Sequence, residues 1–200
     1  MSRILLVLLF LLFMLPCSAE NLYFQGSVTF NWDTVSQEER EEDVLAIRNC
    51  IFGDTVEKKR QDDFKTRYKD FLKDRDYKNH YLAASAGYKE YKEFNISAMY
   101  LKRMSTLYMY ALQPKNDLMT IYYYDAMGSL RYVDNIKGSY PNFPYYTEQY
   151  RRNGSMVGIS YFTSRDTQYI FKSNGDFKGV SNKDKFYNLK GKVIMHRSNY

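Results

Sequence analysis

Tyr150-Arg151-Arg152-Asn153-Gly154-Ser155-Met156 is the stretch whose reading decides the fold. An aromatic residue, three turn-type residues, a glycine, one further residue and an apolar residue stand in that order, and the same order recurs three more times. The other copies are Tyr124-Asp125-Ala126-Met127-Gly128-Ser129-Leu130, Phe171-Lys172-Ser173-Asn174-Gly175-Asp176-Phe177 and Tyr187-Asn188-Leu189-Lys190-Gly191-Lys192-Val193. A tight β connection needs one residue at positive φ, which glycine adopts without a steric penalty. Two copies also place Asn immediately before the glycine, another turn-favouring choice. The aromatic and apolar residues then fall on opposing strands, where they pair across the ladder. Four hairpins in succession predict an antiparallel meander. Its strands are expected at Tyr145–Tyr150, Met156–Phe162, Thr167–Lys172, Phe177–Val180 and Lys192–Met195. The link Ile136–Pro144 is longer and holds Pro141 and Pro144, so an irregular loop is expected there.

Upstream of this ribbon the pattern changes period. Leu118–Tyr124 is β-branched and aromatic and reads as a strand, preceded by a turn at Pro114–Asp117. Ile96–Gln113 suits either structure. Ile96, Ala98 and Tyr100 alternate, while Leu101, Met104, Tyr108 and Ala111 fit a helix; strand is favoured because a strand comes next. Residues 36–95 read as helical. Ser36 and Glu39 form a capping box ahead of Val44, Ile47 and Ile51 on one helix face, and Gly53 ends that helix. Asp54 with Glu57 opens a second, striped by Phe64, Tyr68, Phe71 and Leu72. Tyr77, Tyr81, Ala84, Tyr88 and Tyr91 suggest a third. The predicted class is α+β: N-terminal helices followed by a C-terminal antiparallel β-meander over 96–200, packed with the helices as one domain.

The first nineteen residues have the three parts of a cleavable secretory signal: Arg3, an apolar run Ile4–Leu15, and the small-x-small ending Cys17-x-Ala19. Twelve residues of helix cover about 18 Å, short of the roughly 30 Å of a hydrocarbon layer. The expected location is therefore secreted or periplasmic, with no transmembrane span once the signal is removed. Residues 20–26, Glu-Asn-Leu-Tyr-Phe-Gln-Gly, resemble the recognition site of tobacco etch virus protease, which makes residues 20–35 either an engineered scar or a native N-terminal strand through Leu22–Trp32.

The formal net charge is +6, and +5 once Arg3 leaves with the signal. Residues 36–80 hold 11 basic and 12 acidic side chains, whereas residues 81–200 hold 17 and 9. A basic C-terminal part points to anionic partners or to a solvated surface. Cys50 is the lone cysteine after Cys17 is removed, so no intrachain disulfide forms; its place beside Ile47 and Ile51 predicts a small buried hydrophobe. All 21 tyrosines lie after the signal. Tyrosine pairs apolar area with a polar tip and suits half-buried strands and wet binding faces alike.

At the level of the hairpin, residues 118–195 show a family resemblance. Tyr124-Asp125-x-x-Gly128-x-Leu130 resembles the core of the tyrosine–aspartate (YD, Rhs-type) repeat, and the Asn-Gly copies resemble repeats of bacterial YwqK-like proteins. Only the first copy has an aspartate after the aromatic. The resemblance implies a bacterial, exported β-meander whose relatives serve as shells, scaffolds or binding surfaces, and it brings no catalytic residue.

Catalytic equipment is sparse. His80 and His196 are the two histidines, and no spaced metal-ligand set, nucleophile elbow or phosphate-binding glycine loop occurs. No cofactor is expected. Asp62-Asp63 and Glu41-Glu42 sit among Lys and Arg as solvated helix faces. The sequons Asn95-Ile96-Ser97 and Asn153-Gly154-Ser155 matter only in a eukaryotic secretory route. These features favour a non-enzymatic binding or scaffold module presenting a tyrosine-rich, basic sheet face to a protein or an envelope glycan. The candidate face is Tyr122, Tyr124, Tyr132, Tyr145, Tyr150, Arg151 and Tyr161, half of which should be core. Tyr122 and Tyr124 point to one side of their strand and Tyr123 to the other. The rival is a small secreted hydrolase or toxin-like enzyme with a site near His80 or His196. Nucleic acid fits the composition but not export.

Overall fold

The structure is a computed structural model that describes residues 30–53, 90–91, 93–101 and 106–196. The signal segment, the second helical stripe, the third stripe apart from Tyr91, and His80 lie outside the described residues. Among those described, one helix, α1 (Gln37–Phe52), precedes eleven strands: β1 Glu90–Tyr91, β2 Phe94–Leu101, β3 Thr106–Pro114, β4 Thr120–Asp125, β5 Leu130–Gly138, β6 Tyr145–Arg151, β7 Met156–Phe162, β8 Thr167–Lys172, β9 Phe177–Asn182, β10 Lys185–Tyr187 and β11 Val193–His196. They form one sheet in which spatial order equals chain order, every pair antiparallel. The fold is β-dominated, with an α contribution from the N-terminal side.

Each glycine motif makes the same reversal. The residue after the aromatic donates its N–H to the carbonyl just before the apolar residue: Asp125 to Ser129 (2.9 Å), Arg151 to Ser155 (2.8 Å), Lys172 to Asp176 (2.9 Å) and Asn188 to Lys192 (3.0 Å). The glycines sit at φ of 76° to 87° and donate back across the turn. A side-chain oxygen completes each of the four turns: Asp125 Oδ1 accepts from Met127 and Ser129, Asn153 Oδ1 from Ser155, Asn174 Oδ1 from Asp176, and Asn188 Oδ1 from Lys190 and Lys192. Asp125 also pairs with Arg131 at 2.6 Å.

In all four hairpins the register slips by one residue at the aromatic, so that Tyr124 faces Leu130, Tyr150 faces Met156, Phe171 faces Phe177 and Tyr187 faces Val193. A bulge of this kind bends its strand and adds twist. Four in series curl the sheet and bring the apolar residue after each turn, such as Leu130 and Met156, onto the face of the motif aromatics, which forms the core. Tyr124, Tyr150, Phe171 and Tyr187 are all buried there, with Leu112, Val133, Ile159 and Val180.

Helix α1 covers part of that face. Ser36 Oγ accepts from the Glu39 N–H, and Glu39 returns the bond to the Ser36 N–H, so the capping box forms; Gly53 comes after the last turn. Val44, Ile47 and Ile51 are buried against the sheet, and Phe52 meets Phe171 edge-on. Cys50, about 100° around the helix from Ile51, is half-buried rather than buried. Ahead of the helix, Trp32 lies in a turn, not in a strand, and wedges against Tyr169 and Phe177.

The boundary of the helical region is corrected: Glu90–Tyr91 and Phe94–Asn95 are already paired strand. Ile96–Gln113 resolves into β2 and β3. The loop after Gly138 is irregular, as Pro141 and Pro144 require. Strand β10 is the strand that the fourth motif copy requires opposite Val193, though its bounds are not read from the sequence; its three residues come after a turn in which Lys183 takes φ 51°.

Candidate functional site

Pairing sorts the side chains onto two faces. Partners in an antiparallel ladder point the same way, and successive residues of one strand point oppositely. The face opposite the core therefore carries Tyr123 on β4, Tyr132 and Asp134 on β5, Thr147 and Gln149 on β6, Ser160 and Phe162 on β7, and Gln168, Ile170 and Lys172 on β8. These residues line a groove of about 760 Å³. Met99 and Met109 close one end, and Lys178 lies at the other. In a flat sheet β3 and β9 stand six strand spacings apart, about 29 Å. That both line one groove shows how far the sheet has curled.

The groove floor holds a hydrogen-bonded cluster. Tyr123 OH donates to Asp134 Oδ2 at 2.9 Å, and Gln149 Nε2 donates to Asp134 Oδ1 at 2.9 Å. Asp134 is 7% exposed. Burial disfavours the charged form and raises the carboxyl to about 6, against the pull of the two hydrogen bonds. Burial and the neighbouring carboxyl also push the Tyr123 phenol up, so it remains a donor. Each Asp134 oxygen takes one bond of the two it can accept.

The ladder extends this cluster into a line. Asp134 pairs with Gln149, Gln149 with Gly158, and Gly158 with Lys172. Four neighbouring strands thus present a carboxyl, an amide, a bare glycine and an ammonium over about 14 Å. Lys172 reaches Asp176 at 3.5 Å in an exposed pair, worth little in water.

The sequence-derived face divides between the two sides. Tyr122, Tyr124, Tyr150 and Tyr161 lie on the core face at 7%, 0%, 1% and 2% exposure, where they present nothing to a partner. Tyr132 lines the groove. Tyr145 lies on the same face beyond it, stacked between Phe143 (5.3 Å) and Phe162 (4.8 Å) with Tyr140 edge-on. Arg151 pairs with Tyr132 at the exposed end of β6. Sequence reasoning passed over Tyr123, Asp134, Gln149, Lys172 and Lys178. The available signal was Asp134, an acid in mid-strand between Val133 and Asn135.

His196 sits exposed on edge strand β11, 3.8 Å from Asp184 and outside the groove. Among the described residues no group of His, Cys, Asp and Glu is placed to hold a metal ion, and no helix is long and apolar enough to cross a membrane. Comparison with known proteins finds no matching family, no matching characterised sequence and no matching solved structure.

Proposed function

We propose that the protein is an exported, non-enzymatic binding module whose concave sheet face receives its partner in the groove centred on Asp134. One observation carries this reading: a buried carboxyl, held by a phenol and an amide, lies at the floor of an open groove instead of being sealed in the core. Polar groups placed in this way among apolar walls fix the orientation of a ligand. Tyr123, Tyr132 and Phe162 supply aromatic area beside them, suited to stacking on a sugar ring or a side chain. The signal-like residues 1–19 support export, and the glycine hairpins support kinship with bacterial repeat scaffolds.

Calorimetric titration of the chain from residue 20 onward with oligosaccharide and peptide panels tests the reading. Tyr132→Ala weakens any binding found by tenfold or more, while Arg151→Ala, at the margin, changes it by less than threefold. Ligands that bind Tyr132→Ala as tightly as the parent chain overturn the groove as the site.

A further inference from the structure

We propose that the groove takes an anionic glycan, its hydroxyls met by Asp134 and Gln149 and its carboxylate or phosphate met by Lys172 and Lys178. The proposal rests on the groove being the binding site and adds the chemistry of its occupant.

Three observations select that chemistry. First, the floor is built from interior strands, β4 to β8, each paired on both sides. Their backbone N–H and C=O groups are spent in the ladders, so an extended peptide finds no edge to join as an added strand. Recognition falls to side chains. Second, those side chains mix acceptors with donors: Asp134, Gln149, Gln168, Thr147 and Ser160. A hydroxyl is itself donor and acceptor, so a polyhydroxylated ring satisfies such an array without leaving either kind unpaired. Tyr132 and Phe162 offer aromatic area on the same face. Third, charge is distributed along the groove rather than spread evenly. Lys172 and Lys178 stand at one end, and Lys178 has no carboxylate partner among the described residues. The Asp134 carboxyl and Lys172 stand at opposite ends of the Asp134–Gln149–Gly158–Lys172 line, with bare Gly158 between them. A Cβ at Gly158 would lie 2.2 Å from the Phe171 carbonyl oxygen, so this glycine is what lets β7 and β8 approach closely enough to set the two ends of the line on one floor.

The test uses oligogalacturonate and its full methyl ester, which share a backbone and differ in charge. Phosphomannan, a mannose chain carrying phosphate groups, supplies the phosphate arm, and polyglutamate of equal charge the peptide arm. Oligogalacturonate or phosphomannan is expected to bind at least tenfold more tightly than the ester, with affinity falling as salt rises. Whichever of the two binds identifies the anionic group. The double variant Lys172→Ala/Lys178→Ala removes that preference and leaves affinity for the ester unchanged. Equal binding of acid and ester, binding of polyglutamate as tight as that of the glycan, or an unaltered preference in the double variant overturns the proposal. Tyr132→Ala separates the two levels. A neutral sugar whose binding needs Tyr132 keeps the groove and removes the anionic preference. Binding indifferent to Tyr132 removes both.

Discussion

The guanidinium of Arg40 donates from Nε to the carbonyl of Leu189 at 2.9 Å, joining the first turn of the helix to the last glycine hairpin across 149 residues of sequence. Its Nη1 donates to the carbonyls of Trp32, at 3.0 Å, and Val35. Eight residues on, Arg48 Nε donates to the Gly175 carbonyl at 3.2 Å. Eight residues of helix rise about 12 Å, and the two hairpins lie two strand spacings apart, about 10 Å. The helix is thus docked at two points on one end of the sheet.

This geometry predicts unequal costs. Arg40 is buried at 7% exposure, and its planar fork serves three carbonyls that a lysine cannot reach together. Arg40→Lys is expected to lower stability by about 2 to 3 kcal/mol in urea unfolding. Arg48 is exposed, with one bond, and Arg48→Lys should cost less than about 1 kcal/mol. Equal losses would mean that the forked contact does not anchor the helix.

The hairpin glycines give a second contrast. Gly154 sits at φ 85°, so Gly154→Ala incurs the left-handed penalty of about 1 to 2 kcal/mol. Gly191, at φ 76°, adds crowding: a Cβ there would lie 2.9 Å from Arg40 Nη1 and 3.0 Å from its Cζ. Gly191→Ala should therefore cost more than Gly154→Ala, and by an amount that shrinks when Arg40 is first replaced by alanine. A double-mutant cycle reads that coupling directly; strict additivity would contradict the packing.

Those turns were legible because their chemistry is local. A glycine at positive φ, with an Asp or Asn nearby to accept turn N–H groups, needs no distant partner to specify it. The capping box of Ser36 and Glu39 was legible for the same reason. The binding face was not. Tyr122-Tyr123-Tyr124 establishes alternation, but with aromatics on both sides the sequence does not say which parity is inside. Each bulge turns only the apolar partner, such as Leu130 or Met156, onto the aromatic's face; the parity of the tyrosines follows from which face Trp32 and the helix cover, a contact far away in sequence. Tyr122, Tyr124, Tyr150 and Tyr161 consequently went to the core while Tyr123 and Tyr132 reached the groove. The bounds of strand β10 were hidden by its length, three residues with Lys185 at its start.

Trp32 supplies a third prediction. It is 2% exposed, meets Tyr169 edge-on at 5.5 Å, and donates Nε1–H to the Asn188 carbonyl at 3.0 Å. Trp32→Ala removes the wedge under the helix entry and should cost about 3 to 5 kcal/mol. Trp32→Phe keeps ring area but drops the bond and is expected to cost roughly half as much. Thermal unfolding of the two variants checks the order. A phenylalanine variant as unstable as the alanine variant would place the energy in the hydrogen bond instead of the packing.

Asp134 makes stability depend on pH in a direction opposite to that of a salt-bridged acid. Its carboxyl titrates near 6 in the folded chain against 3.8 as the ordinary value. Between about pH 4 and pH 6 the folded chain keeps a proton that the unfolded chain has lost. Folding stability from this group is therefore full below pH 4, falls as pH rises to 6, and stays low above it. The shift corresponds to a penalty on the order of 3 kcal/mol at neutral pH. Asp134→Asn keeps an oxygen to accept from Tyr123 or Gln149 and has no proton to lose. Denaturation from pH 4 to pH 8 should show the variant more stable than the parent above pH 6, with the difference disappearing near pH 4. A parent chain that gains stability across that window would show that the carboxylate, not the acid, is the form the groove is built to hold.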